Sequence, residues 1–425
     1  MVLDMKRLGK LLAYLFPLIL VVGSLEVALR MMPELIPIDL LQHFHDDMRL
    51  KVAVQLDLPN RSDIQPVERD DGGPFLKKYR PNVSVTLDFG DVGATATIVT
   101  DDLGFCNPPT RSYEREKIDI MAIGDSLTWC TAVEPGEAWP AFLADLTGKS
   151  SYNLGFPGIG LYEYLVFLRK YGLQKSPDVV VLNFTEGNDF RDALRYWRFK
   201  THGISEEGLS QESGPIGQLL GPVSLVYNMA VGTWRELFEP KRTSAKAGDT
   251  PLDARLASID KKSLDFRYAV NFDGERIAFN IRNADRDELK HIIAVSEGLA
   301  DLSVFDDALS EFRRLADEHD FIPVVIYSPS AHLVYEDYVE FEAPWVKPLA
   351  RTYSDRLRDY AKEGAERFGY HYLDLTDLLM EEIRRQGAER ATKLLYYPGS
   401  IHYSVEGNLV VARELAAFLQ SLGYE

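Results

Sequence analysis

Apolar runs that alternate with amphipathic stretches dominate the second half of the chain. Continuous apolar runs of strand length indicate strands buried on both faces. They occur at 118–123, 152–154, 178–184, 322–327 and 370–375. Helical patterns occupy 137–146, 161–171, 306–319, 348–368 and 405–422. Strands that alternate with helices predict an α/β fold with a doubly wound parallel sheet.

Two regions depart from this rhythm. Residues 83–87 and 94–99 alternate between apolar and polar positions on either side of a turn-rich stretch, which predicts a β hairpin within a juxtamembrane segment, 31–112. Residues 196–290 include runs rich in Gly, Ser and Pro and a polar run. We expect them to form an inserted cap over the carboxyl edge of the sheet, within a domain that spans 113–425.

The N-terminus combines basic and apolar residues. Three basic residues among the first ten precede an almost wholly apolar run, 11–29, and about 20 apolar residues suffice to cross a bilayer. Because basic flanks stay in the cytoplasm, we expect a cytoplasmic segment at 1–10, a transmembrane anchor at 11–30 and an extracytoplasmic remainder of the chain, periplasmic or at the cell surface. A cleavable signal peptide and a buried soluble helix are the alternatives, but no small-x-small cleavage site follows the run.

Composition narrows the class of protein. The chain has 425 residues and a net charge of −18, with 65 acidic against 47 basic residues, which argues against nucleic-acid binding. Its two cysteines, Cys106 and Cys130, fit no zinc spacing and leave open one disulfide or two buried thiols. Neither a metal-binding His-Glu-x-x-His pattern nor a Gly-x-Gly-x-x-Gly arrangement occurs, so we expect no metal and no nucleotide cofactor.

Four loop segments carry the candidate chemistry. Three follow strands, where a doubly wound sheet places its functional loops, and each alone also fits an ordinary turn. Ser126, in Gly124-Asp125-Ser126, occupies a strand-to-helix turn that exposes a nucleophile. The glycines around Gly158 permit close approach of backbone amides to a substrate oxygen, and Asn188 offers an amide to a developing oxyanion, an interaction worth about 3 kcal/mol. His402 precedes the last helix, and imidazole is the usual base for a serine nucleophile.

Taken in order, these segments resemble the four conserved blocks of the SGNH (GDSL-like) hydrolase superfamily, with Ser126, Gly158, Asn188 and His402 at the matching positions. The resemblance covers roughly 117–192 and 304–425 and leaves out the insertion. It implies a flavodoxin-like SGNH fold and ester chemistry. Ser126 would be the nucleophile, His402 the base, and Ser126, Gly158 and Asn188 the oxyanion hole.

Neighbouring residues complete the expected site. Asp125 and Asp189 are expected to support it from the first and third blocks. Where the superfamily has Asp three residues before the histidine, this chain has Gly399. Three alternatives for orienting the imidazole stay open. The first is a Ser-His dyad in which Ser400 or a backbone carbonyl orients the ring, and the second is a carboxylate from elsewhere, such as Asp374. The third is an impaired site. The glycine expected two residues before the asparagine is replaced by Glu186.

These expectations define a substrate class for an esterase and leave two alternative functions. A weaker resemblance of residues 124–189 to membrane-anchored members associated with exported polysaccharides favours acyl esters, specifically acetyl esters of a glycan, as substrates. The first rival is a glycan O-acetyltransferase that uses the same residues. The second is a catalytically impaired glycan-binding or assembly protein. We expect membrane lipid as a partner of the N-terminal helix, and no nucleic acid.

Overall fold

A computed structural model of the protein describes most of the chain in two compact units. The described residues are 5–36, 40, 44–45, 48, 52, 64–67, 76–89, 94–109, 117–202, 215–238, 251–259, 266–279, 286–398 and 402–424. The smaller unit comprises Met1–Lys77 and Arg198–Ala245, and the larger comprises Lys78–Trp197 and Lys246–Glu425. The predicted hairpin therefore belongs to the unit that holds the main sheet. The insertion is shared between the two units.

The strands and helices are numbered along the chain. The described strands are β1 (Ile64–Val67), β2 (Leu76–Tyr79), β3 (Ser84–Phe89), β4 (Ala94–Val99), β5 (Ile120–Ile123), β6 (Ser151–Asn153), β7 (Val179–Thr185), β8 (Tyr268–Phe272), β9 (Glu275–Phe279), β10 (Ile322–Ser328), β11 (Val339–Phe341) and β12 (His371–Asp374). The described α-helices are α1 (Met5–Met31), α2 (Trp139–Thr147), α3 (Leu161–Phe167), α4 (Asp189–His202), α5 (Pro215–Leu220), α6 (Leu225–Phe238), α7 (Pro251–Ala257), α8 (Arg286–Ser296), α9 (Asp306–His319), α10 (Ala331–Val334), α11 (Val346–Phe368), α12 (Thr376–Gln386) and α13 (Val405–Ser421).

The main sheet has five parallel strands in the order β12-β10-β7-β5-β6. Counted from the N-terminus this is the order 2-1-3-4-5, that of flavodoxin-like doubly wound sheets, in which ligands bind where the strand order reverses. All residues of β5 and β7 are buried, as their continuous apolar sequences require. The prediction of an α/β fold with a parallel sheet is confirmed.

The register of the sheet brings its functional loops together. Ile123 at the end of β5 pairs with Leu182 in β7, and Ser328 at the end of β10 pairs with Thr185 at the end of β7. The loops that follow β5, β7 and β10 therefore leave the sheet at one edge. The surrounding helices pack in two groups, α2 with α13 and α12 in one, and α3 with α9 and α11 in the other, as expected for a sheet covered on both faces.

Two smaller sheets complete the larger unit. β3 and β4 form the predicted antiparallel hairpin, with Ser84 opposite Val99. β11, β8 and β9 form a three-stranded antiparallel sheet. Since β8 and β9 lie within the insertion, the inserted segment contributes regular structure to this unit.

The smaller unit contains the N-terminal helix. This helix, α1, is longer at both ends than the predicted span 11–30. Glu26 accepts hydrogen bonds at 3.0 Å from the amides of Leu225 and Val226 and from the hydroxyl of Ser224, so it caps the start of α6. In the part of the chain that the structure describes, no helix combines the length and apolarity needed to cross a membrane. The transmembrane anchor expected at 11–30 stays a prediction.

Candidate active site

The nucleophile turn begins directly after β5. Gly124 is required there because a Cβ atom would lie 2.0 Å from Oγ1 of Thr128. The carboxylate of Asp125 accepts a hydrogen bond from the Leu127 amide at 2.9 Å, which folds the chain back on itself. Ser126 lies at the tip of this turn, half-buried. The local sequence thus presents the serine hydroxyl at the edge of the sheet.

His402 lies next to this serine. Its Nε2 atom is 2.9 Å from Oγ of Ser126, a hydrogen-bond distance. The loop that carries the histidine is held on both sides, since Tyr396 and Tyr403 form an antiparallel β-bridge. Ser404 then caps α13 by accepting the Gly407 amide at 3.1 Å. Base and nucleophile are therefore brought together across 276 residues of sequence.

The candidates for orienting the imidazole have different outcomes. Ser400 and Gly399 lie outside the described residues. The carboxylate of Asp374 accepts hydrogen bonds from Arg358 at 2.7 Å and from the amide of Thr376 at 2.9 Å. These contacts tie Asp374 to Arg358 on α11 and to the first residue of α12. Among the described contacts, none joins Asp374 to the histidine.

The two predicted oxyanion segments face the same cavity as the serine. A cavity of about 220 Å³ is lined by Ser126, Gly158, Asn188 and His402 together. Gly158 has a φ of +75°, in the left-handed region that favours glycine. Its conformation, rather than lack of space, accounts for the residue, because a Cβ atom would meet no atom within 4 Å. The four residues predicted from separate segments therefore share one cavity.

Two buried carboxylates hold the turns beneath the cavity. Asp189 accepts hydrogen bonds from the amide of Thr185 at 2.7 Å and from the hydroxyl of Tyr164 at 2.6 Å. The Thr185 hydroxyl donates to Asp125 at 2.9 Å and so links the first and third blocks. Burial raises the pKa of Asp125 to about 6 against the opposing effect of these hydrogen bonds. Burial, with the nearby Asp125 charge, also raises the pKa of Asp189 well above its usual range.

Glu186 stands where the superfamily has glycine, and its side chain turns into the core. It is fully buried and accepts hydrogen bonds from the hydroxyls of Tyr327 at 2.9 Å and Ser354 at 2.6 Å. Burial raises the pKa of this carboxyl group. The residue does not line the cavity, so the departure from the superfamily pattern leaves the space around the serine unobstructed.

The rest of the cavity lining was not predicted residue by residue. It includes Tyr268 from β8 and Glu288 from α8, both within the insertion, His291 just after the insertion, and the segment 329–332 after β10. Burial lowers the pKa of His332 in that segment to about 3. No sequence motif marks these residues, although the expected cap agrees with their origin. Within the described part of the chain, no group of three or more His, Cys, Asp or Glu side chains could hold a metal ion.

A disulfide joins Cys106 to Cys130. The two Cα atoms are 6.1 Å apart, within the usual range for such a bond. Of the two alternatives left open by the sequence, the structure contains the bridge. Because Cys130 follows Ser126 by four residues, the bond ties the segment after the hairpin to the nucleophile turn.

Comparisons with known proteins find similarity to solved structures at low sequence identity. No family model matches this chain, and no curated protein matches it. Among solved structures, a G-D-S-L family protein from Desulfitobacterium hafniense DCB-2 is similar at 14% identity and a TM-score of 0.34, over 71% of this chain and 99% of that one. An acetyl xylan esterase is similar at 11% identity and a TM-score of 0.34, over 71% of this chain and 100% of that one. An acetylxylan esterase from Geobacillus stearothermophilus is similar at 14% identity and a TM-score of 0.31, over 72% of this chain and 95% of that one.

Because the identities and TM-scores of these structures are low, they carry no argument about the function of this chain.

Proposed function

We propose that this protein is a serine esterase with Ser126 as its nucleophile. The observation that carries the proposal is the 2.9 Å separation between Nε2 of His402 and Oγ of Ser126. The cavity in which they meet is also lined by Gly158 and Asn188, the two other expected oxyanion segments. A nucleophile, a base within hydrogen-bond reach and candidate oxyanion donors around one space are the parts that acyl transfer needs.

The proposed reaction has two steps. His402 takes the hydroxyl proton of Ser126 while Oγ attacks the ester carbonyl, and the tetrahedral oxyanion is stabilised by the Ser126 and Gly158 amides and the Asn188 side chain. Collapse breaks the ester C–O bond, and the leaving alkoxide takes the proton from His402. Water then attacks the acyl-serine with His402 again as base, and the acid is released.

Hydrolysis of p-nitrophenyl acetate by the full chain tests this function. We expect Ser126→Ala and His402→Asn to lower kcat by at least about 10³-fold, since nucleophile and base act as one unit. Ser421→Ala and His371→Asn, which change an exposed serine and an exposed histidine elsewhere, serve as matched controls and should retain the wild-type rate. Equal rates for the wild type and Ser126→Ala would refute the assignment of the nucleophile.

The proposed substrate is a small acyl ester, specifically an acetyl ester, of an exported polysaccharide. The cavity of about 220 Å³ is small beside the several hundred Å³ of typical drug-sized sites, which favours a short acyl group. Rates on p-nitrophenyl acetate, butyrate and octanoate should fall as the chain lengthens. Acetate release from an acetylated glycan then tests the alcohol part of the substrate.

A glycan O-acetyltransferase is the second candidate. The observation that favours it is the polar part of the cavity lining, which Tyr268 and Glu288 of the insertion and the adjacent His291 contribute. Product analysis with and without an acceptor glycan separates transfer from hydrolysis. A glycan-binding protein without catalysis is distinguished by the absence of Ser126 labelling with a fluorophosphonate probe.

We also propose an extracytoplasmic location. The Cys106–Cys130 bridge supports it, since disulfides persist mainly in oxidising compartments. The basic residues before the apolar run 11–29 agree with a cytoplasmic N-terminus. Membrane attachment through this run is inferred from the sequence alone. Fractionation of cells that express the full chain, with protease added to intact cells or spheroplasts, tests both location and attachment.

A further inference from the structure

An ion-pair network centred on a buried carboxylate contacts the predicted oxyanion segments. Asp192 is fully buried in the first turn of α4. Its carboxylate accepts a hydrogen bond from the side-chain amide of Asn188 at 3.2 Å, and the Asn188 side chain also hydrogen-bonds to Asp125. Rotation of the Asn188 side chain about its terminal torsion would break the bond to Asp192. Asp192 therefore helps to orient a candidate oxyanion donor.

The same carboxylate reaches the second oxyanion segment through Arg195. One guanidinium nitrogen of Arg195 lies 3.4 Å from Asp192, and another donates to the backbone carbonyl of Gly158 at 3.3 Å. The loop also packs against the aspartate directly, since a Cβ atom on Gly160 would lie 2.7 Å from Cβ of Asp192. Both oxyanion segments thus contact one network.

The network is rigid because its charges are paired. Arg191 donates two hydrogen bonds to the Asp192 carboxylate, at 3.0 and 3.2 Å, and such bidentate pairs fix geometry as well as charge. With Arg195 as a second cation, the carboxylate is held from several sides. A buried charge that lost these partners would be costly, so the arrangement has little freedom to move.

We propose that Asp192 and Arg195 are positioning residues that hold Asn188 and Gly158 at the separation an oxyanion requires. The inference rests on the proposed esterase function, because only that chemistry uses the two segments as a pair. An oxyanion forms in the transition state and not in the bound ester, so loss of this positioning lowers kcat and leaves KM nearly unchanged.

Asp192→Ala and Arg195→Met in the full chain test the proposal with p-nitrophenyl acetate. We expect kcat to fall about 10- to 100-fold, the scale of a small misplacement of catalytic groups, with KM within about twofold. Arg169→Met is the matched control, since Arg169 also pairs with a carboxylate, that of Glu311 at 3.3 Å, and is 21% exposed against 27% for Arg195. The control should retain the wild-type kcat. An equal loss in the control, or a change in KM alone, overturns the proposal.

A double-mutant cycle tests whether Asp192 acts through Asn188. In an Asn188→Ala background, Asp192→Ala should lower kcat less than it does in the wild type, because part of what it positions has been removed. Full additivity contradicts the proposal. Thermal melting shows whether Asp192→Ala folds. If it does not, two other variants are compared in the wild-type and Asn188→Ala backgrounds. They are Asp192→Asn, which keeps the side-chain shape, and Arg195→Met, which changes a more exposed residue.

Failure of the proposed function is distinguishable from failure of this inference. Equal turnover by the wild type and Ser126→Ala refutes the esterase assignment. The positions of the Asn188 amide and the Gly158 carbonyl in crystal structures of the wild type and Asp192→Ala then decide the positioning role without turnover. Displacement of either group supports it, and unmoved groups overturn it.

Discussion

The two sides of the candidate site are held in place by different chemistry. Beneath the nucleophile and the oxyanion segments, the fixed groups are fully buried carboxylates, those of Asp125, Asp189 and Asp192. Around the histidine loop they are phenols. Tyr335 accepts the Leu395 amide at 2.9 Å, and the Tyr396 hydroxyl donates to the carbonyl of Pro329 at 2.6 Å. One side includes a carboxylate, that of Asp125, whose pKa burial raises to about 6, and the other is held by phenols whose pKa values burial raises above their usual value.

The difference predicts unequal responses to pH. Burial raises the pKa of Asp125 to about 6, so this carboxylate takes up a proton under mildly acidic conditions. Burial also raises the pKa of Tyr335 above its usual value near 10, so the hydrogen bonds of the histidine loop are unchanged over the same range. Stability is therefore expected to vary with pH through the side of the site that holds Asp125.

Among the variants that test this comparison, Asn188→Ala is expected to have the largest effect. Asn188 lies on the side of the site that is held by carboxylates. Loss of an oxyanion donor should lower kcat on p-nitrophenyl acetate about 10²- to 10³-fold, with little change in KM. Asn271→Ala is the control and should leave kcat unchanged. The Asn271 side chain donates a hydrogen bond to Glu340 within the three-stranded sheet β11-β8-β9, not in the main sheet. A loss confined to KM would place Asn188 in ground-state binding and remove the oxyanion role from this side.

Asp125→Asn is expected to change how stability depends on pH. The folded-state pKa of Asp125 is about 6, against 3.8 for the unfolded chain, so the unfolded state releases its proton first as pH rises. The wild type thus loses about 3 kcal/mol of stability between about pH 4 and 6, and the loss persists at higher pH. The amide variant keeps an oxygen acceptor for the Leu127 amide and does not titrate.

Urea denaturation at pH 4, 5, 6 and 7 measures this difference. The free energy of unfolding of Asp125→Asn should fall less over this range than that of the wild type. Asp359→Asn, which changes an exposed carboxylate on α11, is the control and should follow the wild-type profile. Parallel profiles for Asp125→Asn and the wild type would show that Asp125 does not titrate as its burial predicts.

Tyr335→Phe is expected to have the smallest effect. It tests whether the side of the site that is held by phenols is independent of pH. The change removes the acceptor of the Leu395 amide and, at 3.4 Å, of the Tyr396 amide. A loss of about 1–2 kcal/mol in the free energy of unfolding follows, and it should be equal at pH 5 and pH 8. A pH-dependent loss would mean that the two sides are not separate in their electrostatics.

The sheet was predictable because its buried strands have continuous apolar sequences. The helix Asp306–His319 also has the predicted bounds, since its apolar positions recur at helical spacing. The predicted helix 161–171 ends earlier, where Leu168–Gly172 forms a π-helical turn. Such a change of helix type has no periodic pattern to mark it. Local sequence therefore determined the elements better than their ends.

The site was predictable where loops follow strands and where one loop precedes the last helix. The register of the sheet brings Ser126 and Asn188 to one edge, and their roles, like those of Gly158 and His402, stay predictions until they are tested by mutation. The cavity wall from the insertion and the Asp192 network were missed. Their residues are ordinary helix and strand positions whose neighbours come from distant segments. One available signal was the four-residue spacing of Asn188 and Asp192, which places them on the same helical face.

The contact between Gly160 and Asp192 restricts which residues position 160 can accept. A side chain at 160 would overlap Cβ of residue 192, which lies 2.7 Å from the position of the added Cβ atom. A gene that acquires alanine or a larger residue at 160 must therefore also acquire glycine at 192 or shift α4. We expect descendants of this sequence to keep glycine at 160 for as long as residue 192 carries a side chain.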